Sequence, residues 1–354
     1  MNNRKTGRVC WSSPANIALV KYWGKRGVQL PMNPSVSFAL SKSKIKISVE
    51  YSLESGQTPG IDSFTLNGNT HDEFLQRIEK YLLALSDYFP FLQMARLKID
   101  SISSFPHSAG IASSAAAFSA LALCICNIRA ELNDRPATGE DFFREASFVA
   151  RLGSGSACRS VYGGLSVWGK TGLVAGSSDE YAVRLGEDIS SSGITELNDS
   201  ILIVDSSTKK VSSSGGHALM KEHPYKDARI EQAGSNLETI IRSIREGDIE
   251  TFGQVVENEA LSLHALMMSS SPGYLLLHPN TIKVIEKILD FRKDTGVPAY
   301  FTLDAGPNIH LVYRKTDHAR VIPFIRDELL AYCENRRWLD DSVGSGPENL
   351  NEEI

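Results

Sequence analysis

Apolar and polar residues alternate in short runs along the first fifty positions, and turns separate the runs. We predict strands at residues 8–13, 35–41 and 44–52, the last with a clear period of two in KIKISVEYS. The run ARLKIDSIS (95–103) predicts a further strand. Between them, residues 72–88 carry apolar side chains at helical spacing and predict an amphipathic helix. These side chains are Phe74, Ile78, Tyr81, Leu82 and Leu85.

An alanine- and leucine-rich run follows and predicts a buried helix with Ser113 or Ser114 as its N-cap. Residues 139–152 predict a second amphipathic helix, which ends at Gly153, and VYGGLSVWG (161–169) predicts a strand. In the second half we expect a strand at 201–207 and helices at 225–246, 248–267 and 280–295. The segment PAYFTLDAGPNIHLVYR (298–314) predicts a strand, a Gly-Pro turn and another strand.

The elements are mixed without regular βαβ alternation, which favours an α+β fold. A stretch rich in small polar and acidic residues (171–198) indicates a boundary. We therefore predict an N-terminal domain over 1–190, a C-terminal domain over 191–340 and a frayed polar tail over 341–354.

Composition narrows the class of protein. A chain of 354 residues is long enough for two domains, and a net charge of -5 argues against a nucleic-acid binder. The five cysteines are an odd number without CxxC spacing, so neither a disulfide framework nor a zinc site is indicated. The N-terminus lacks an apolar run after its basic start, and we expect a cytoplasmic protein.

The first candidate chemical segment is PHSAGIASSAA (106–116), a glycine-containing loop that leads into the predicted buried helix. Unpaired backbone N–H groups and the positive end of the helix dipole would bind phosphate there. The sequence lacks the Gly-Lys-Ser ending of a P-loop. The alternative is an ordinary capped helix.

Two further segments offer hydroxyl groups beside glycines. In RLGSGSACRS (151–160), Arg159 has the planar fork that grips phosphate or carboxylate, although a flexible turn with a surface arginine is an equal alternative. In KKVSSSGGH (209–217), three serines precede a glycine pair, as in an anion-binding loop or a simple polar turn.

A lysine and an aspartate each end an apolar run. Lys21 lies in ANIALVKYWGKR (15–26), where a buried lysine would need a carboxylate or an anionic ligand; the alternative is a solvent-facing edge-strand lysine. Asp304 lies in TLDAGPN (302–308), as a turn residue or as a carboxylate that orients a reacting hydroxyl. The histidines show no metal-binding spacing, and His217, His223 and His264 are assigned no role.

All these segments offer donors or cations, although the protein is acidic, which indicates one site for a ligand with several phosphates. Taken together, they resemble a known family. PxxxGIASSA resembles the phosphate loop of the GHMP kinase superfamily, and ANIALVKYWGKR, GSGSACRS, GGLSVW and DAGPN in this order resemble the diphosphomevalonate decarboxylases. The resemblance spans residues 10–315.

The resemblance implies a two-domain GHMP-kinase-like fold with the active site in the interdomain cleft, and a homodimer. It implies ATP-dependent decarboxylation of mevalonate 5-diphosphate to isopentenyl diphosphate, with Mg²⁺ accompanying ATP. Asp304 and Lys21 would be catalytic. The substrate would contact three stretches: Tyr22, Trp23, Gly24 and Lys25; Ser154, Gly155, Ser156, Ala157, Cys158 and Arg159; Ser212, Ser213 and Ser214. The ATP phosphates would lie over Ala109, Gly110, Ala112, Ser113 and Ser114.

Two stretches depart from the family pattern. Where relatives often carry an arginine after Leu-Asn-Gly, this chain reads LNGNTHD (66–72), and His71 and Arg77 are the candidates to replace it. The hydroxyl loop also lacks the arginine of some relatives. The alternatives are therefore a monophosphate-specific decarboxylase, a mevalonate-type kinase of the same superfamily, and a non-catalytic nucleotide- or metabolite-binding protein.

Overall fold

The computed structural model describes residues 5–54, 56–105, 111–186, 196–207 and 211–351. Within them the strands form two main sheets and one short hairpin. The strands are β1 (Lys5–Val20), β2 (Lys25–Arg26), β3 (Leu30–Pro31), β4 (Ser35–Leu53), β5 (Gly60–Leu66), β6 (Ala95–Ser103), β7 (Leu165–Trp168), β8 (Ala182–Arg184), β9 (Leu197–Leu202), β10 (Ala299–Thr302), β11 (Ile309–Arg314), β12 (Trp338–Ser342) and β13 (Glu348–Asn349). The helices are α1 (Asp72–Leu85), α2 (Ser113–Leu132), α3 (Glu140–Gly153), α4 (Ser213–Leu219), α5 (Lys226–Glu246), α6 (Ile249–Met268), α7 (Pro279–Thr295) and α8 (His318–Phe324).

The first sheet has the order β13-β1-β4-β6-β5, and β7 and β8 extend it from β4. Strands β1 and β4 form a long antiparallel pair, whereas β5 joins β6 in parallel. Helix α2 packs against β1 and β4. It is buried nearly all round, because α3 covers another of its sides. This layer of sheet and helices is the N-terminal unit.

The second sheet is antiparallel, with the order β10-β11-β9-β12. Helices α6 and α7 pack on β10, and α5 packs on α6. This C-terminal unit shares a hydrophobic core with the first, since Ile240 and Phe252 belong to the same buried cluster as Ile17 and Val36. A common core fixes the two units against each other.

Helix α2 is the one candidate membrane span that a search of the described residues finds, by length and hydropathy alone. Buried positions make up 83% of its apolar window, so it is the core helix of the N-terminal unit.

Several predicted boundaries are wrong. The strands predicted at 35–41 and 44–52 are one strand, β4, because β1 pairs with it almost throughout. The strand predicted at 201–207 covers 197–202, and the one in VYGGLSVWG is only Leu165–Trp168. The N-cap of α2 is Ala112, which has φ 26° and offers no side-chain cap. The predicted helices after residue 225 are confirmed to within a few residues.

The predicted frayed tail is also wrong for its described part. Strand β12 pairs with β9 of the C-terminal unit, and β13 pairs with β1 of the N-terminal unit. Asp341 is buried, and its carboxylate accepts from the backbone N–H groups of Ser41, Lys42 and Ser43. Burying a carboxylate requires such donors, and here they fasten the tail to the first sheet. The predicted division at residue 190 stays a prediction, because residues 187–195 lie outside the described part.

Candidate active site

A cavity of about 300 Å³ lies where the two units meet. Four cationic side chains line it: Lys21, Lys25, Arg77 and Arg159. Among the described residues Asp304 is the one carboxylate in its wall. A cluster of positive charge on an acidic protein favours an anionic ligand.

Lys21 and Asp304 meet across the two units. Strand β1 ends at Val20 in a wholly buried stretch and delivers Lys21, while Asp304 follows β10. Lys21 Nζ donates to Asp304 Oδ1 at 2.9 Å. The lysine side chain is 2% exposed and the aspartate side chain 28%. The nearby cation favours the ionised carboxylate, and that carboxylate is the exposed partner. The predicted pairing of a buried lysine with a carboxylate is confirmed.

The backbone of Lys21 is held as firmly as its side chain. Its N–H donates to Glu259 Oε2 at 2.7 Å, and its carbonyl accepts from Arg229 Nη2 at 3.0 Å. Glu259 and Arg229 form a two-bond ion pair of 2.6 and 2.7 Å between α6 and α5. Both are buried. Sequence reasoning missed this pair, because two charged residues on separate helices look like ordinary surface positions.

Arg159 lies in the 3-10 turn Gly155–Val161 and is 3% exposed. Its Nε donates to Asn16 Oδ1 at 3.1 Å and its Nη1 to Ser35 Oγ at 2.5 Å. Burial lowers its pKa from the usual value, against the opposing effect of Cys158 and Asp304. The guanidinium group is therefore fixed in place at the cavity wall instead of lying at the surface.

Lys25 and Arg77 are two further cations of the cavity wall. Burial, and next the charge of Arg77, lowers the pKa of Lys25. Burial also lowers the pKa of Arg77, whose guanidinium lies over the rings of Phe74 and Phe118. Two like charges held close together destabilise the folded protein unless an anion lies between them. Arg77 is thus the cation that reaches this cavity from the helix after LNGNTHD.

The start of α2 forms another part of the wall. Ala112, Ser113 and Ser114 line the cavity. Because Ala112 has no side-chain acceptor, the amides of the first turn lack the usual cap. Backbone amides at the positive end of a long helix bind phosphate.

The predicted site residues divide into three groups. Those that line the cavity are Lys21, Tyr22, Trp23, Lys25, Ala112, Ser113, Ser114, Ser154, Gly155, Ser156, Arg159, Ser213, Ser214 and Asp304. Those outside its wall are Gly24, Ala157, Cys158 and Ser212. Ala109 and Gly110 lie outside the described residues.

The residues outside the wall have structural contacts instead. The Cys158 thiol donates to the carbonyl of Gly155, and burial raises its pKa to about 12. Ser212 caps α4 by accepting from the Gly215 N–H. The Gly24 N–H donates to His217 Nδ1 at 2.9 Å. His217 was not assigned a role from the sequence, yet it lines the cavity.

The side chains of the site also determine whether a metal ion could bind there. The described residues contain no group of three or more His, Cys, Asp or Glu that would hold one. Mg²⁺ prefers oxygen ligands, keeps several waters and binds largely through phosphates and one or two carboxylates. The hydroxyls of Ser113 and Ser114 and the carboxylate of Asp304 fit a magnesium ion that arrives with a nucleotide.

Two α+β units, a helix N-terminus at their junction and a cation-lined cavity define the class, a GHMP-kinase-like enzyme that acts on a phosphorylated ligand. Residues 13–182 match the model of the diphosphomevalonate decarboxylase-like N-terminal domain, and residues 200–348 match that of the mevalonate 5-diphosphate decarboxylase C-terminal domain. The chain belongs to the diphosphomevalonate decarboxylase family.

Individual relatives agree with this family. The diphosphomevalonate decarboxylase of Gibberella zeae is 32% identical over 332 residues, which cover 90% of this chain and 84% of that protein. The mevalonate diphosphate decarboxylase structure from Staphylococcus aureus is 30% identical with a TM-score of 0.81, and covers 98% of both chains. A structure of MDDEF in complex with MVAPP, AMPPCP and magnesium is 26% identical with a TM-score of 0.81, and covers 98% of this chain and 99% of its own.

Proposed function

We propose that the chain catalyses the ATP-dependent decarboxylation of (R)-5-diphosphomevalonate to isopentenyl diphosphate, with release of ADP, phosphate and CO2. The observation that carries this proposal is the Lys21–Asp304 ion pair in a cavity with three further cations. The solved relative MDDEF, which binds MVAPP, AMPPCP and magnesium, has the same fold over nearly its whole length.

Asp304 acts on the tertiary hydroxyl of the substrate. Its partly exposed carboxylate orients the hydroxyl and takes its proton as the oxygen attacks the γ-phosphorus of ATP, and ADP leaves. The ammonium group of Lys21, 2.9 Å from that carboxylate, keeps it ionised and stabilises charge on the transferred phosphoryl group.

Phosphorylation converts a poor leaving group into a good one. The carbon–oxygen bond then breaks and phosphate leaves with the electron pair. The bond to the carboxylate breaks next, and its electrons form the double bond as CO2 departs. Lys21 and Arg159 offer positive charge to the departing phosphate, since both line the cavity.

The start of α2 receives the ATP phosphates. The first-turn amides and the hydroxyls of Ser113 and Ser114 donate to phosphate oxygens, together with Ala112 and the predicted positions Ala109 and Gly110. The hydroxyls of Ser113 and Ser114 would help to hold a magnesium ion that arrives with ATP, and the ion would neutralise charge on the phosphate oxygens.

The cationic edge receives the diphosphate of the substrate. Lys25, Arg77 and Arg159 supply the charge, and Ser154, Ser213 and Ser214 supply hydroxyls. Arg77, one of the two candidates to replace the arginine absent from LNGNTHD, lines this cavity, and a third cation at this edge suits two phosphates better than one. The two-domain division at residue 190, the homodimer and the cytoplasmic location remain part of the proposal.

The test is to supply mevalonate, its 5-phosphate and its 5-diphosphate separately with ATP and magnesium, and to measure ADP and CO2 together. We expect both products, in equal amounts, with the diphosphate as the preferred substrate. ADP without CO2 would identify a kinase and contradict the decarboxylase proposal. Preference for the monophosphate would contradict the diphosphate assignment alone.

A further inference from the structure

His217 is the one cavity-lining histidine of the described residues, and the mechanism above gives it no task. It belongs to α4 of the C-terminal unit. Its ring contacts two aromatic rings of the N-terminal unit, with centroids 4.3 Å from Tyr22 and 4.5 Å from Trp23. The residue is 7% exposed, and its ring contacts and the Gly24 hydrogen bond hold its orientation.

The contact with Gly24 sets the tautomer of this ring. Nδ1 accepts the backbone N–H of Gly24 at 2.9 Å, and a nitrogen that accepts carries no proton. Burial, and next the charges of Lys25 and Arg159, holds the pKa of His217 well below its usual value. The imidazole is therefore neutral, and its one proton is on Nε2.

The Nε2–H group has no acceptor among the described residues. Because His217 lines the cavity, a ligand there can supply the acceptor, and a hydrogen bond to a charged oxygen is stronger than one to a neutral group. The surroundings favour an anion, because the charged groups that affect His217 are the cations Lys25 and Arg159. The substrate offers two anionic groups, its diphosphate and its carboxylate, and these two cations belong to the diphosphate edge.

We infer that His217 binds the substrate by donating its Nε2–H to an oxygen of the diphosphate group. This inference rests on the proposed function and deepens it. A neutral donor adds a hydrogen bond at the cationic edge without adding a further like charge beside Lys25 and Arg159.

Two substitutions distinguish the roles of the two ring nitrogens. His217→Asn keeps an acceptor near Nδ1 for the Gly24 N–H and removes the donor at Nε2. His217→Gln reaches about as far as the imidazole, so its side-chain amide keeps a donor near the position of Nε2. His278→Asn is the matched control, because His278 also accepts a backbone N–H through Nδ1, from Asn280 at 3.1 Å, but lies outside the cavity wall.

We expect His217→Asn to raise the KM for mevalonate diphosphate about tenfold or more, because a hydrogen bond to a charged group is lost. The KM for ATP should change little. His217→Gln should restore part of the loss, and His278→Asn should match the wild type. An unchanged KM for mevalonate diphosphate in His217→Asn, while the wild type releases CO2, would overturn the inference. Absence of CO2 from the wild type would instead overturn the proposed function.

A second measurement needs no folded variant at this position. In wild-type protein labelled with ¹⁵N-histidine, inorganic pyrophosphate should shift the His217 Nε2–H resonance, and mevalonate, which has a carboxylate but no phosphate, should not. A shift with mevalonate alone would assign the donor to the carboxylate and contradict the inference. No shift with pyrophosphate would contradict it as well.

Discussion

Lys21 contacts two ion-pair networks, and the two differ in whether a ligand in the cavity can reach their charged groups. Through its side chain it meets Asp304, whose carboxylate is 28% exposed. Through its backbone it meets Glu259 and Arg229, whose side chains are 0% and 2% exposed. The first network has a carboxylate that a ligand can reach. The second is closed, so it positions a residue and takes no part in the chemistry.

Lys21 needs both networks because its partners lie in the other unit. Lys21 comes from the N-terminal unit, whereas Asp304, Glu259 and Arg229 come from the C-terminal unit. The buried pair fixes the end of β1 against α5 and α6, and the exposed pair then forms at a set distance of 2.9 Å. Catalytic groups act within narrow geometric limits, and a rigid support supplies that geometry.

The largest expected effect is at the exposed network. Asp304→Asn should lower kcat about 10³- to 10⁴-fold, because an amide cannot take the hydroxyl proton. Affinity for ATP, measured by calorimetry, should change little, because the proposed contacts of the ATP phosphates are at the start of α2. Asp62→Asn is the control, because Asp62 pairs with Arg96 outside the cavity wall. Turnover near that of the wild type would remove Asp304 from the mechanism.

Substitutions in the buried network should lower the free energy of unfolding. Arg229→Met leaves Glu259 charged and buried without its partner, and should cost about 3–5 kcal/mol of unfolding free energy, as measured by urea denaturation. Replacing both residues with Met should recover much of this loss, because no unpaired charge remains. A loss below about 1 kcal/mol in the single variant, typical of exposed pairs, would contradict the description of the pair as closed.

A smaller effect is expected at Arg159. Arg159→Lys should raise the KM for mevalonate diphosphate about tenfold, because a single ammonium group cannot bond Asn16, Ser35 and a phosphate in the same fixed plane. The KM for ATP should stay close to that of the wild type. Arg314→Lys is the matched control, because Arg314 also pairs with a carboxylate, that of Asp317, but lies outside the cavity wall. Equal kinetics of the two variants would contradict the placement of the diphosphate at Arg159.

The smallest effect concerns pH. The pKa of Lys25 is lowered by burial and by Arg77, so its cation is present below that pKa and lost as the pH rises through it. The KM for mevalonate diphosphate should therefore rise at alkaline pH. Arg77→Gln removes the neighbouring charge that lowers the pKa of Lys25, so the rise in KM should move to higher pH. An alkaline midpoint that is the same in both proteins would show that Arg77 does not act on Lys25.

The sequence predicts the residues that face the ligand better than those that hold them. Lys21 and Asp304 stand out because each ends an apolar strand, which places a charge where a buried partner is needed. Glu259, Arg229 and His217 lie on helices, where single charged or aromatic residues carry no such signal. Their roles depend on contacts that span up to 238 residues of sequence.

The errors in the predicted fold also come from contacts that the local sequence does not reveal. The tail looks frayed because it is polar, yet Asp341 is buried by three backbone donors from residues 41–43. The N-cap of α2 was misplaced because Ser113 and Ser114 are the preferred capping types. The structure puts Ala112 there instead and leaves the serine hydroxyls in the cavity wall.

We propose that Asp304, oriented by Lys21, starts a reaction that ends in the loss of CO2. A single-turnover experiment with enzyme in excess over mevalonate diphosphate tests it most directly, with ADP and CO2 both quantified in wild type and in Asp304→Asn. We predict one ADP and one CO2 per substrate in the wild type, and neither from the variant on that timescale. ADP formed by Asp304→Asn at the wild-type rate, or ADP without CO2 in the wild type, would contradict the account.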